Sequence, residues 1–131
     1  VILDESVTSP VAMMQIVRMN AADRIVLKPN RVGGLWPARK IVNICEANGI
    51  GISLDTMPFT LLGDTMLCHL GATLRTHYPL DGEGHTFFSK TPFTGGVKLH
   101  HGRAKLPSGT GFAVEVDEDQ LSRMIAESEA A

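Results

Sequence analysis

The sequence predicts an α/β fold built on a parallel sheet, and two observations carry that prediction. Four short apolar runs each stop at an ionisable residue. They are Val1-Ile2-Leu3 before Asp4, Ile25-Val26-Leu27 before Lys28, Ile52-Ser53-Leu54 before Asp55 and Tyr78-Pro79-Leu80 before Asp81. The four terminating residues recur at steps of 24, 27 and 26, a length that holds one strand, one helix and two loops. The segments between the runs carry helical spacing, while the runs themselves are continuously apolar. That combination marks strands covered on both faces, which belong in a parallel sheet.

Each element has its own signal. Val1-Ile2-Leu3 reads as a core strand, and an opening inside such a strand without an initiator Met points to the later part of something larger. Pro10 fits a first helical turn, with Val11, Met14 and Val17 following at helical spacing. Ile25-Val26-Leu27 is the second strand, and Gly33-Gly34 serve the turn that follows it. Pro37 again fits a first turn, Ile41, Ile44 and Cys45 form an apolar stripe, and Gly49 stops the helix. The third helix shows Leu62, Met66, Leu70 and Leu74 on one face. The fourth strand is the weakest, because Pro79 has no N–H to give to a ladder. After about residue 90 the style changes. "GGVKLHHGRAKLP" reads as a hairpin turning at His101-Gly102. A Gly-rich turn, a short strand and a closing helix follow, with Asp117 and Gln120 placed as a capping box and Leu121 and Met124 opening its apolar face.

Composition bounds the function. The chain has 131 residues, 44% hydrophobic and 20% charged, with net charge −2, so one ordinary domain is expected and no electrostatic signal points to nucleic acid or an anionic membrane. No apolar run reaches the roughly 18 residues of a membrane span. Cys45 and Cys68 have neither metal-ligand nor redox spacing and read as reduced and buried, which suits a cytoplasmic protein.

The strand ends carry the chemistry. In a parallel barrel they meet at one rim, and in an open parallel sheet they meet at one crevice. Either way Asp4, Lys28, Asp55 and Asp81 converge. A carboxylate one repeat away from a lysine can bind a divalent cation while the lysine moves protons. Lysine serves as a base only when its pKa falls toward neutrality, and a nearby metal and burial both push it that way. Oxygen ligands without sulfur or histidine favour Mg²⁺, with Mn²⁺ possible.

These residues resemble the enolase superfamily, in its mandelate racemase/muconate-lactonizing-enzyme branch. "LDES" with Asp4, "DRIVLK" with Lys28, then "GGL" and "ARKIVNICEANGI" are similar to strands five to seven of that family's barrel, and the tail "SGTGFAVEVDEDQL" is similar to its closing Gly-rich segment. The resemblance covers nearly the whole chain. It implies that residues 1–90 form the C-terminal half of a TIM-type (β/α)8 barrel, strands five to eight. Residues 91–131 would be a tail packing on a capping domain absent from this chain. It further implies that Asp4 is the last of three carboxylate metal ligands and that Glu5 is the acid behind it. Lys28 would be the acid/base lysine, Asp55 and Met57 would offer substrate contacts from the seventh strand, and Asp81 would sit near the end of the eighth.

The implied activity is removal of the proton α to a substrate carboxylate, with Mg²⁺ stabilising the enediolate, a pairing of lysine base and metal typical of enolase-type sites. Racemisation, epimerisation, cycloisomerisation or acid dehydration would follow. The family's other two metal ligands and its Lys-x-Lys segment would precede Val1. Dipeptide epimerases tend to carry Asp-x-Asp at the eighth strand, and Tyr78 or Pro79 stands at the first of those positions, which disfavours that activity. The expected partners are a small carboxylate substrate, the rest of the barrel, the capping domain and further copies of the protein. The competing reading is a non-catalytic half-barrel that acts only as an assembly or folding unit.

Other candidates have plain readings. His69, His77, His85, His100 and His101 lack zinc-type spacing, although His85 is near enough to Asp81 in sequence to reach the rim. Arg31 reads equally as a solvated loop residue and as a carboxylate partner. Trp36 is expected to pack the start of its helix against the sheet.

Overall fold

A computed structural model describes residues 1–56, 59–75 and 78–130. Strands β1 (Ile2–Leu3), β2 (Arg24–Leu27) and β3 (Gly51–Leu54) form a parallel sheet in that order. Ile2 stands opposite Arg24, Arg24 opposite Gly51 and Leu27 opposite Leu54. Helices α1 (Pro10–Arg18) and α2 (Leu35–Asn48) connect them, and α3 (Leu61–Gly71) follows β3. The expected βα units are therefore present. The fourth run does not form a strand: Asp81 makes one parallel bridge to Asp55, after Pro79 has removed a ladder donor.

Alternation decides what each strand shows to each side. Ile25, Leu27, Ile52 and Leu54 are buried against the helices, packing with Met13 and Ile16 of α1, with Ala38, Ile41, Val42 and Cys45 of α2, and with Leu67 and Leu70 of α3. Arg24, Val26, Gly51 and Ser53 face the other side and are only partly covered. Lys28 and Asp55 continue that second set, two residues beyond Val26 and Ser53.

Local signals explain the boundaries. Ser9 Oγ accepts the Ala12 N–H at 3.1 Å and caps α1, with Pro10 at its first position. Gly49 ends α2 at φ +67°, a conformation that favours glycine. Gly33 and Gly34 take φ +94° and +102° and close the turn between Lys28 and α2, where the Gly34 N–H donates to the Pro29 carbonyl at 2.7 Å.

Several expected packing faces are corrected. In α1 the buried residues are Met13 and Ile16; Val11 is 70% exposed and Met14 is also exposed, while Val17 packs at the core's margin. In α3 the buried arc is Asp64, Thr65, Leu67, Cys68 and Leu70; Leu62 is exposed and Leu74 lies beyond the helix end. The arc is displaced because α3 is covered on a second side by the tail. Trp36 is 74% exposed and stands under Lys40, with Nζ 5.7 Å from the ring centre, rather than packing on the sheet. Strand β1 is less buried than a core strand, with Ile2 55% exposed, because it pairs only with β2 among the described residues.

The tail forms two small antiparallel pairs. β4 (Phe93–Gly95) pairs with β7 (Val114–Val116), and β5 (Lys98–His100) pairs with β6 (Arg103–Lys105). The β5–β6 hairpin turns at His101 and Gly102, both at positive φ. Helix α4 (Glu118–Glu129) is capped by Asp117, whose carboxylate accepts the Gln120 N–H at 2.9 Å, and none of its residues is buried. Cys45 and Cys68 are free thiols in helices, and burial pushes their pKa up to about 12 and about 11.

Candidate active site

Three strand ends bring four of the expected residues together. Lys28 follows β2, and its ammonium lies 2.8 Å from Asp4 Oδ2 and 3.0 Å from Asp55 Oδ2. Its side chain is only 9% exposed, whereas Asp4 keeps 32% and Asp55 21%. The lysine is thus a bridge between the ends of β1 and β3, not a solvated surface group. Arg31, on the turn after Lys28, reaches back to Asp4 Oδ1 at 2.8 Å and to Glu5 Oε1 at 3.4 Å. Of its two sequence readings, the carboxylate partner is the one observed.

The pKa directions follow from this geometry. Burial pushes the Asp4 carboxyl up, but hydrogen bonds from Lys28 and Arg31 and their charges outweigh it, and Asp4 is held below the usual carboxylate range. The Asp4 hydrogen bond raises Lys28 above the ordinary ammonium value; burial opposes this and Asp55 reinforces it. The expected downward push of burial is present but does not prevail. Two adjacent carboxylates win. As arranged here Lys28 holds its proton.

Asp81 meets the site from the chain beyond α3. Its N–H donates to the Leu54 carbonyl at 3.0 Å and its carbonyl accepts the Thr56 N–H at 3.1 Å, which pins it beside Asp55. A hydrogen bond with Glu83, then burial and the charges of Glu83 and Asp55, push the Asp81 carboxyl up to about 6. Sequence reading missed Glu83, which follows no apolar run. It also missed the link from His85 to Asp64, because Asp64 looks like an ordinary acid in a first helical turn. Met57 and His77 lie outside the described residues.

The profile of the enolase C-terminal domain-like family matches residues 1–120. This chain belongs to that family. An N-succinylamino acid racemase of Amycolatopsis sp. is 32% identical over 112 residues, which is 86% of this chain and 30% of the relative. A chloromuconate cycloisomerase of Pseudomonas putida is 30% identical over 123 residues, 92% of this chain and 33% of the relative. Among solved structures, the substrate-liganded L-Ala-D/L-Glu epimerase of Bacillus subtilis superposes with a TM-score of 0.81 at 27% identity, covering 86% of this chain and 32% of that one. The muconate lactonizing enzyme of Pseudomonas putida gives a TM-score of 0.88 at 24% identity, over 93% of this chain and 34% of that one, a likeness of fold.

The chain spans about a third of the length of these curated relatives. Relatives of this chain include racemases, epimerases, cycloisomerases and an o-succinylbenzoate synthase. Among the described residues, no group of three or more His, Cys, Asp and Glu side chains is arranged to hold a metal ion. No helix among them is long and apolar enough to cross a membrane.

Proposed function

We propose that this chain forms the strand-five-to-eight part of a Mg²⁺-dependent isomerase or lyase that moves the proton α to a substrate carboxylate. The observation that carries the reading is the buried ammonium of Lys28, held between Asp4 and Asp55 at the ends of three adjacent parallel strands. Lys28 would exchange the proton with the substrate carbon. Asp55 would orient the ammonium from the substrate side, and Asp55, Asp81 and Met57 would line the substrate pocket. Residues 91–131 would pack on a capping domain, and the assembled protein would be a cytoplasmic homo-oligomer.

The donor chemistry fits the metal in part. Asp4 offers hard carboxylate oxygen of the kind Mg²⁺ or Mn²⁺ takes, with Glu5 behind it sharing Arg31. Further oxygen ligands would come from strands outside this chain. Bound there, a divalent cation would supply positive charge to an enediolate oxygen. The chain's own residues do the rest: Arg31 fixes Asp4, and Asp4 and Asp55 fix Lys28, whose side chain is only 9% exposed.

The proton carried by Lys28 suits it to protonate a carbanionic carbon. To accept a proton it must first give up its own, a step that the two adjacent carboxylates oppose and a neighbouring cation would favour. The missing Asp at Tyr78 and Pro79 argues for a racemase, cycloisomerase or dehydratase rather than a dipeptide epimerase. The test uses the protein with its remaining barrel strands. It is incubated in D₂O with Mg²⁺ and, separately, N-succinyl amino acids, hydroxy acids, a dipeptide and muconate. Deuterium at the α-carbon, or lactone from muconate, is the expected result. Absence of both with every substrate class contradicts the proposal.

A further inference from the structure

Asp64 and Thr65 are neighbours on α3, both polar and both completely buried. A buried carboxylate is costly unless it is hydrogen-bonded. Asp64 Oδ2 accepts the backbone N–H of His85 at 2.6 Å and lies 2.7 Å from the ring Nδ1 of the same residue. With an ionised carboxylate as acceptor, Nδ1 is the donor. Thr65 Oγ1 accepts the Val97 N–H at 2.9 Å while donating to the Leu61 carbonyl at 2.7 Å. The approach of the tail is close: a β-carbon on Gly96 would lie 2.6 Å from Thr65 Oγ1. One helix therefore holds the chain beyond Asp81 at two successive points, His85 and Val97.

The other end of this stretch is pinned as well. Asp81 is tied to β3 through Leu54 and to Thr56 by backbone hydrogen bonds. Only Gly82, Glu83 and Gly84 lie between Asp81 and His85, and both glycines are buried. A three-residue link between two fixed points has little freedom. Where His85 is held decides where Glu83 can stand relative to Asp81.

We propose that Asp64 is a positioning residue for the acidic side of the rim: through His85 it holds Glu83 against Asp81, beside Asp55 and Lys28. This rests on reading the Lys28 rim as the reaction site, but its test does not need turnover. His85→Leu removes the ring donor and keeps the backbone N–H. His85→Asn returns an amide nitrogen near the place of Nδ1. Asp64→Asn keeps the shape and removes the charge.

Two quantities are read in the complete protein: amide hydrogen exchange across residues 82–86, and the ¹³C titration of the Asp81 carboxyl, expected near 6 in the native protein. In His85→Leu and Asp64→Asn the exchange should rise about tenfold or more, the scale of a hydrogen bond to a charged acceptor. The Asp81 midpoint should fall toward the ordinary carboxylate value as Glu83 moves away. His85→Asn should restore both, and β2 amides should stay protected throughout. Native exchange in His85→Leu overturns the proposal, and so does raised exchange with an unmoved Asp81 midpoint. Should Asp64→Asn fail to fold, the His85 pair decides. A protein with the expected exchange pattern but no α-proton chemistry on any carboxylate keeps the positioning role and counts against the functional reading alone.

Discussion

Lys28 and Asp4 stabilise each other, and the sign of the effect with pH follows from the two shifts. Lys28 is raised above 10.5, so its contribution is fully present below that value and is lost as pH rises through the folded value. Asp4 is lowered below 3.8, so its contribution is present above that value and is lost as pH falls through the folded one. Asp81 behaves oppositely. Raised to about 6 by Glu83, burial and Asp55, it favours folding when protonated and costs stability once ionised. Asp81→Asn should therefore raise the melting temperature at pH 7 and change it little below pH 3.8, the ordinary carboxylate value. Melting curves at those two pH values check this, and an unchanged melting temperature at pH 7 removes Asp81 from the acid cluster. Asp4→Asn should weaken Mg²⁺ binding by at least the roughly 10- to 100-fold that loss of an outer-shell partner costs. Unchanged affinity by calorimetry would take Asp4 out of the metal site.

At the scale of elements, what the sequence makes legible is what local chemistry decides. Proline at a first turn, glycine at positive φ after α2, and the first three apolar runs ended by a charge each depend on few neighbours, and each appears where the pattern puts it; the fourth run, with Pro79 inside it, does not. Ser9→Ala should destabilise the protein by about 1 kcal/mol, the usual value of an N-cap hydrogen bond. Denaturant unfolding measures it, and a loss near zero would mean that the cap at 3.1 Å contributes little. The faces of α1 and α3 were not legible, because tertiary packing chooses among apolar positions. Val11 and Met14 fit helical spacing as well as Met13 and Ile16 do, and only the neighbouring α2 decides between them. In α3 the tail buries Asp64 and Thr65, which no hydropathy pattern would send inward. The Lys28 bridge was legible in place but not in polarity, since a strand-end position does not reveal that two carboxylates will close on one ammonium.

The molecule as a whole has a sheet with one face covered by helices and the other only partly covered. Arg24 on that second face stacks its guanidinium 3.3 Å from the centre of the Tyr78 ring, and its Nε is buried without a hydrogen-bond partner. Ile2 and Val1 at the β1 edge are exposed. Such an edge and face invite association, so the 131-residue chain by itself should elute on gel filtration as a dimer or larger species. A sharp monomer peak would show that the edge is protected. The same chain alone should bind Mg²⁺ weakly and turn over no substrate measurably; robust activity would mean the site is built elsewhere.

In the proposed reaction Lys28 exchanges the substrate's α-proton. Solvent deuterium exchange at that carbon, measured in the complete enzyme, tests it most directly. Lys28→Met keeps the aliphatic stem without the proton or charge, and Lys28→Arg keeps the charge but does not deprotonate near neutral pH. Both variants should lose exchange by roughly 10²- to 10⁴-fold, the scale of general acid–base catalysis. Native exchange in Lys28→Met, or its rescue by Lys28→Arg, would contradict it.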